Sequence, residues 1–156
     1  MIRRASLADE VAAFAAQGGH VGALLQLLTD GQVSARGRGH EGRPLLAVAA
    51  AAGRAPAVEL LLRHSADVDA PDRRFGSGAT PLVLASVHGH VSVVQMLLAV
   101  SCKRRTVWRG RTAAEWAGRR GHSECARLIR RGGAPGPAEG APLSAPALQT
   151  AFPLCK

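Results

Sequence analysis

The side chains able to do chemistry in this 156-residue chain are mainly six histidines, three cysteines and twenty basic groups. Three of the histidines follow a glycine, in Gly19-His20, Gly89-His90 and Gly121-His122. A pair that recurs in this way speaks for repeated structure before it speaks for acid–base work. His88-Gly89-His90 brings two imidazoles close in sequence, yet the segment is too short to supply a full metal-ligand set. Cys102, Cys125 and Cys155 are odd in number and form no CxxC pair. No His or Asp is arranged near them as a base for nucleophilic catalysis. The glycines match no phosphate-cradling loop. The expectation is therefore no enzyme, no metal and no cofactor, in a reduced intracellular protein without structural disulfides.

Arginine offers a different chemistry, the bidentate gripping of carboxylates and phosphates. The chain has 18 arginines against two lysines and a net charge of +9. Three segments, 35–43, 71–79 and 102–111, hold +8 of that charge. The last contains Trp108 between Lys103-Arg104-Arg105 and Arg109/Arg111. Trp and Arg are the residue types that most often dominate protein interfaces. At the N-terminus, Arg3-Arg4-Ala5-Ser6-Leu7 has the form of a basophilic kinase site, and Ser6 with Asp9 also reads as a helix capping box. Both readings of Ser6 stay open.

These groups need elements to hold them. In Gly78–Leu98, Thr80-Pro81 is a helix start, Gly89 a helix stop, and Val91, Val94, Leu97 and Leu98 share one face at helical spacing. Two antiparallel helices of about nine residues, roughly 14 Å each, follow from this. Helices so short are marginal alone and must bury a face against neighbours. The neighbours recur from Gly42-Arg43-Pro44 to Gly53 and from Gly110-Arg111-Thr112 to Gly121, with a degenerate copy turning at Gly19. The turn glycines stand 34, 36 and 32 residues apart. Helices are expected over residues 7–17, Val21–Thr29, Pro44–Ala52 and Ala55–His64.

That period, together with TPLVLA, GHVSVV and SADVDA, resembles the ankyrin repeat. The resemblance implies an all-α solenoid of about four helix-turn-helix repeats carrying short hairpin fingers. Repeats fall at about 6–35, 36–70, 71–104 and 105–134, after an N-terminal arm at 1–5. A Pro/Ala-rich tail, 135–156, is read as disordered. A core with 47% hydrophobic but 3% aromatic residues suits close stacking of Ala- and Leu-rich helices. Two features depart from the family pattern. Ser101-Cys102-Lys103-Arg104-Arg105 replaces an acidic turn, which disturbs the expected geometry of the fourth finger, and Trp116 takes a position usually held by a buried Leu.

In the family resembled, partners are held by finger tips and by the exposed end of each first helix. Carried onto this chain, these positions give His40 and Arg43 in the second unit and His88 in the third. The fourth gives Trp108, Arg109, Arg111, Arg119 and Arg120. The third finger is expected to expose Phe75, and the fourth to expose Trp108 at its tip. The implied function is a protein–protein interaction module, an adaptor or inhibitor, whose basic concave side takes an acidic or phosphorylated partner. A four-repeat inhibitor of cyclin-dependent kinases is the alternative within that class, on the GRP start of unit two and the VELLLRH run. Nucleic-acid binding is favoured by charge alone and disfavoured by the scarcity of aromatic rings for stacking. No apolar run approaches the ~18 residues of a membrane span. A cytoplasmic or nuclear monomer is expected.

Overall fold

A computed structural model describes residues 7–39, 42–75, 78–100 and 107–132. Ser6, His40, Glu41, Gly76, Ser77, Lys103, Arg104, Arg105 and the tail from 135 lie outside the described residues, as does the Phe75 side chain. Among the described residues eight α-helices run in pairs: α1 Leu7–Gly18, α2 Val21–Thr29, α3 Leu45–Ala51, α4 Ala55–Arg63, α5 Pro81–His88, α6 Val91–Val100, α7 Ala113–Arg119 and α8 Ser123–Arg131. The first helices stack in one row, α1 on α3 on α5 on α7, and the second helices stack in a parallel row behind them.

Local chemistry sets the boundaries. Thr80 caps α5, its hydroxyl accepting from the Val83 amide at 3.4 Å, and Pro81 follows in the first turn. Thr112 and Glu115 form a reciprocal capping box at the start of α7. The first helix of the second unit, α3, has seven residues, as does α7. Between the rows lies a continuous core of Ala, Leu and Val, in which Leu24, Val58, Val94 and Ala126 fill the same register in successive units.

One rung joins each unit to the unit before it. His90 donates from Nε2 to the Ala51 carbonyl at 3.0 Å, and His122 does the same to Val87 at 3.1 Å. In the second unit Arg54 stands where the histidine would be, and its Nε donates to the Gln17 carbonyl at 3.0 Å. Each acceptor lies two residues before a turn glycine, so the ladder keeps one register throughout. Gly53 and Gly89 adopt φ of 69° and 77°, and a Cβ on either would meet an imidazole at 2.5 Å. Glycine is thus required there twice, for the left-handed turn and for the seat under the ring. This is the physical content of the Gly-His pairs.

The fingers correct one expectation. Those of units two and three close with single bridges, Arg38 to Pro44 and Asp72 to Ala79. The fourth forms the regular hairpin, β1 Val107–Trp108 against β2 Arg111–Thr112. Its two central residues, Arg109 and Gly110, both have positive φ, 49° and 74°. Positive φ at both positions is what a tight two-residue hairpin turn needs. The Trp-Arg-Gly-Arg turn therefore makes this finger without reference to the basic stretch ahead of it.

Candidate functional site

The fourth finger stands on an aromatic base. The Trp108 and Trp116 rings lie 5.0 Å apart at 44°, and the Trp116 indole N–H donates to the Trp108 carbonyl at 3.0 Å. Trp108 is only 7% exposed and belongs to the core, so the expectation of an open ring at the loop tip is corrected. The reason is the second indole. Trp116 at the usual Leu position is wide enough to reach the finger and cover Trp108. Half-buried itself, Trp116 packs against the core as expected.

The arginines occupy the outer faces of these rings. The Arg109 guanidinium carbon sits 4.9 Å from the Trp108 ring centroid, and that of Arg111 sits 5.7 Å from Trp116. Stacking of this kind holds a guanidinium plane while leaving N–H edges for an anion. Arg109 is exposed and Arg111 half-buried. Arg119 and Arg120 are exposed at the other end of α7, so the structure divides the predicted set into two pairs. Arg120 comes close to His88, which is exposed and stacks on His90 at 6.0 Å. Partial burial, then the neighbouring His90, Arg120 and His122, holds the His88 pKa below its ordinary value.

Arg43, expected at a partner contact, is engaged within the array. Its Nε donates at 2.7 Å to Oδ2 of Asp72, a carboxylate with no solvent exposure. The other oxygen, Oδ1, accepts from the Arg74 amide at 3.1 Å. Arg43 thereby ties the second finger to the base of the third. Sequence reasoning missed this pair, although the two residues lie 29 apart, close to one repeat, which was the available signal. A groove of about 280 Å³ lies elsewhere, between α1 and the fingers, with Phe14, Val48, Arg43 and Arg74 on its walls.

Among the described residues the one cysteine thiol is not activated as a nucleophile. Cys125 is buried, and burial and then Glu124 raise its thiol pKa, away from the thiolate form. Among the described residues no cluster of His, Cys, Asp or Glu has the makings of a metal site. No helix among them is long and apolar enough to cross a membrane.

The paired helices, finger hairpins and one-register ladder recur with the sequence period, and family models agree. The ankyrin-repeat model matches residues 41–73, and the model for three ankyrin-repeat copies matches 71–135. The chain is an ankyrin-repeat protein. Ankyrin arrays are in general non-catalytic modules for protein–protein interaction, and that is the class of function the family supports. The B-cell lymphoma 3 protein homolog of Mus musculus is 36% identical over 113 residues, covering 72% of this chain and 25% of that protein. Ankyrin repeat domain-containing protein 63 of Homo sapiens is 31% identical over 112 residues, 68% of this chain and 28% of its own length. The E3 ubiquitin-protein ligase XBAT33 of Arabidopsis thaliana is 42% identical over 83 residues, 52% of this chain and 16% of the ligase. The chain thus spans between 16% and 28% of the length of these relatives.

Proposed function

We propose that this array is an adaptor or inhibitor that holds an acidic or phosphorylated segment of a protein partner along α7. The carrying observation is the pair of arginines stacked on indoles at one end of that helix, with Arg119 and Arg120 exposed at the other. Seven residues of helix span roughly 10 Å, which an extended peptide covers in about three residues. The preferred segment therefore carries two anionic groups about three residues apart. The indoles are covered by their own unit, so affinity comes from charge-assisted hydrogen bonds held in fixed geometry.

Fluorescence anisotropy tests this with peptides bearing two glutamates or two phosphoserines at that spacing, against a neutral peptide. Arg109→Ala with Arg111→Ala, and separately Arg119→Ala with Arg120→Ala, should each weaken binding about tenfold and flatten its salt dependence. Binding that ignores both pairs rejects the site. Preference for DNA or RNA over the acidic peptides at physiological salt rejects the class of partner.

A further inference from the structure

The two ends of the solenoid are built differently. At the C-terminal end the positions that face a following unit are Glu115 and Gly118, whose counterparts Val83 and Ser86 are fully buried in the third unit. A polar, small-residue surface of that kind suits an end exposed to water. The N-terminal end has no such surface. Leu7, Val11 and Phe14 form one stripe along α1 and are 78%, 45% and 69% exposed.

The repeat register says what this stripe is. Val11 corresponds to Leu45, Pro81 and Ala113, all buried. Phe14 corresponds to buried Val48 and Leu84 and to half-buried Trp116. Exposed Ala23 of α2 corresponds to Ala57, Val93 and Cys125, all buried, whereas Leu7 extends the stripe to a position that is exposed at Arg109. In the later units each helix packs on its counterpart in the preceding unit, and a position open in the first unit but covered in the later ones is on the side turned to that neighbour. The side that receives a neighbour inside the molecule is left uncovered in the first unit among the described residues. Isolated exposed apolar residues need no explanation, whereas a contiguous stripe marks an interaction surface.

Charge narrows the occupant. Residues 7–35 contain Asp9, Glu10 and Asp30 and no Lys or Arg, in a chain of net charge +9. Residues 107–132, by contrast, carry seven arginines against two glutamates. Glu10 flanks the stripe, while Arg43 and Arg74 lie beyond Phe14 on the finger side of the groove. From this juxtaposition we infer that the N-terminal face of α1 and α2 docks an amphipathic helix of a second protein, with an apolar stripe flanked by Lys or Arg on the Glu10 side. The rest of the array repels such a helix, so the acidic unit also steers it to the right end. This surface is distinct from the basic one on α7, and the two together allow one chain to bridge two proteins.

The test titrates the full chain with three labelled peptides of about 18 residues, long enough to become helical when bound. One is a Leu/Lys amphipathic helix, one its Leu/Glu counterpart, and one a Ser/Lys version without the apolar stripe. Expected is binding of the Leu/Lys helix about tenfold or more tighter than either control. Amide shifts on titration should cluster in α1 and α2. Val11→Ser with Phe14→Ser should weaken binding about tenfold or more, and circular dichroism confirms that the doubly substituted chain keeps its helicity. Equal affinity for the Lys and Glu helices, or shifts confined to other units, overturns the inference. So does sedimentation of the free chain as a dimer that Phe14→Ser dissociates, since the occupant is then a second copy. Binding that emerges only once residues 135–156 are removed overturns it too, because the chain then covers its own face.

Discussion

Trp108→Ala is the substitution that most sharply separates the structure from a simpler view of the fourth finger. An exposed indole at a loop tip predicts lost affinity with unchanged stability. The structure predicts the reverse order of effects. Trp108 is 7% exposed and stacks on Trp116, so its removal leaves a cavity in the last unit and strips one face of the second indole. Trp→Ala in a core costs about 3–5 kcal/mol, and a value near 4 is expected here. Trp116→Ala, half-buried, should cost about 2 kcal/mol, including the hydrogen bond to the Trp108 carbonyl. The ring–ring term in a double-mutant cycle should be about 1 kcal/mol. Urea unfolding reads all three. With a slope of roughly 2 kcal/mol per molar, Trp108→Ala should lower the midpoint by about 2 M. The chain has only two tryptophans, both in the fourth unit, so emission reports that unit while circular dichroism reports the array. In Trp108→Ala, the emission of Trp116 should shift to the red before helicity falls, because units of a solenoid can unfold separately. An unchanged emission midpoint combined with lost partner affinity refutes the buried-pair reasoning.

Three further substitutions probe the joints between units. Arg43→Ala leaves the Asp72 carboxylate buried without its guanidinium, and should cost about 3 kcal/mol by urea titration. Gly89→Ala imposes both a left-handed alanine and a clash with the His122 ring, whereas Gly121→Ala, at φ 83° with open space around it, imposes only the first. Gly121→Ala should lower stability by ~1 kcal/mol, and Gly89→Ala should lower it by clearly more in the same thermal melts. His88 is held below the ordinary histidine value of 6.5, so the folded chain binds fewer protons than the unfolded chain. That contribution is present above the ordinary value and is lost as pH falls through the lowered one. His88→Gln should flatten this part of the stability–pH curve, measured by urea midpoints from neutral into mildly acid buffer.

The repeat was legible because its signals are local. Gly89, Thr80-Pro81 and the stripe Val91, Val94, Leu97, Leu98 each act within a few residues, and α2 runs over Val21–Thr29 as the pattern predicts. Side-chain pairings between segments were not legible in the same way. Trp108 and Trp116 were each placed by the pattern of their own segment, one at a tip and one in the core. Only the fold shows that a ring at the usual Leu position reaches the finger eight residues away. Arg43 likewise has the look of a contact residue until Asp72, one finger on, takes it up. Arg54 carries no sign in its own segment that it stands in for the histidine of a ladder, since the carbonyl it meets belongs to Gln17.

The third finger is pinned at its base, where the Asp72 amide meets the Ala79 carbonyl at 2.8 Å and the Asp72 carboxylate meets Arg43. The Arg74 amide also donates to the Asp72 carboxylate, so the pinning continues one turn past the bridge. Gly78, at φ 78° and with Pro71 where a Cβ would go, belongs to the same fixed base. Doubling the length of such a closed loop costs only about 0.6 kcal/mol in chain entropy, because the ends are already held together. Residues inserted between Arg74 and Gly78 should therefore leave the Asp72–Ala79 bridge and the register of the stack as they are. A bridge at the base thus uncouples the length of this finger from the register of the units on either side.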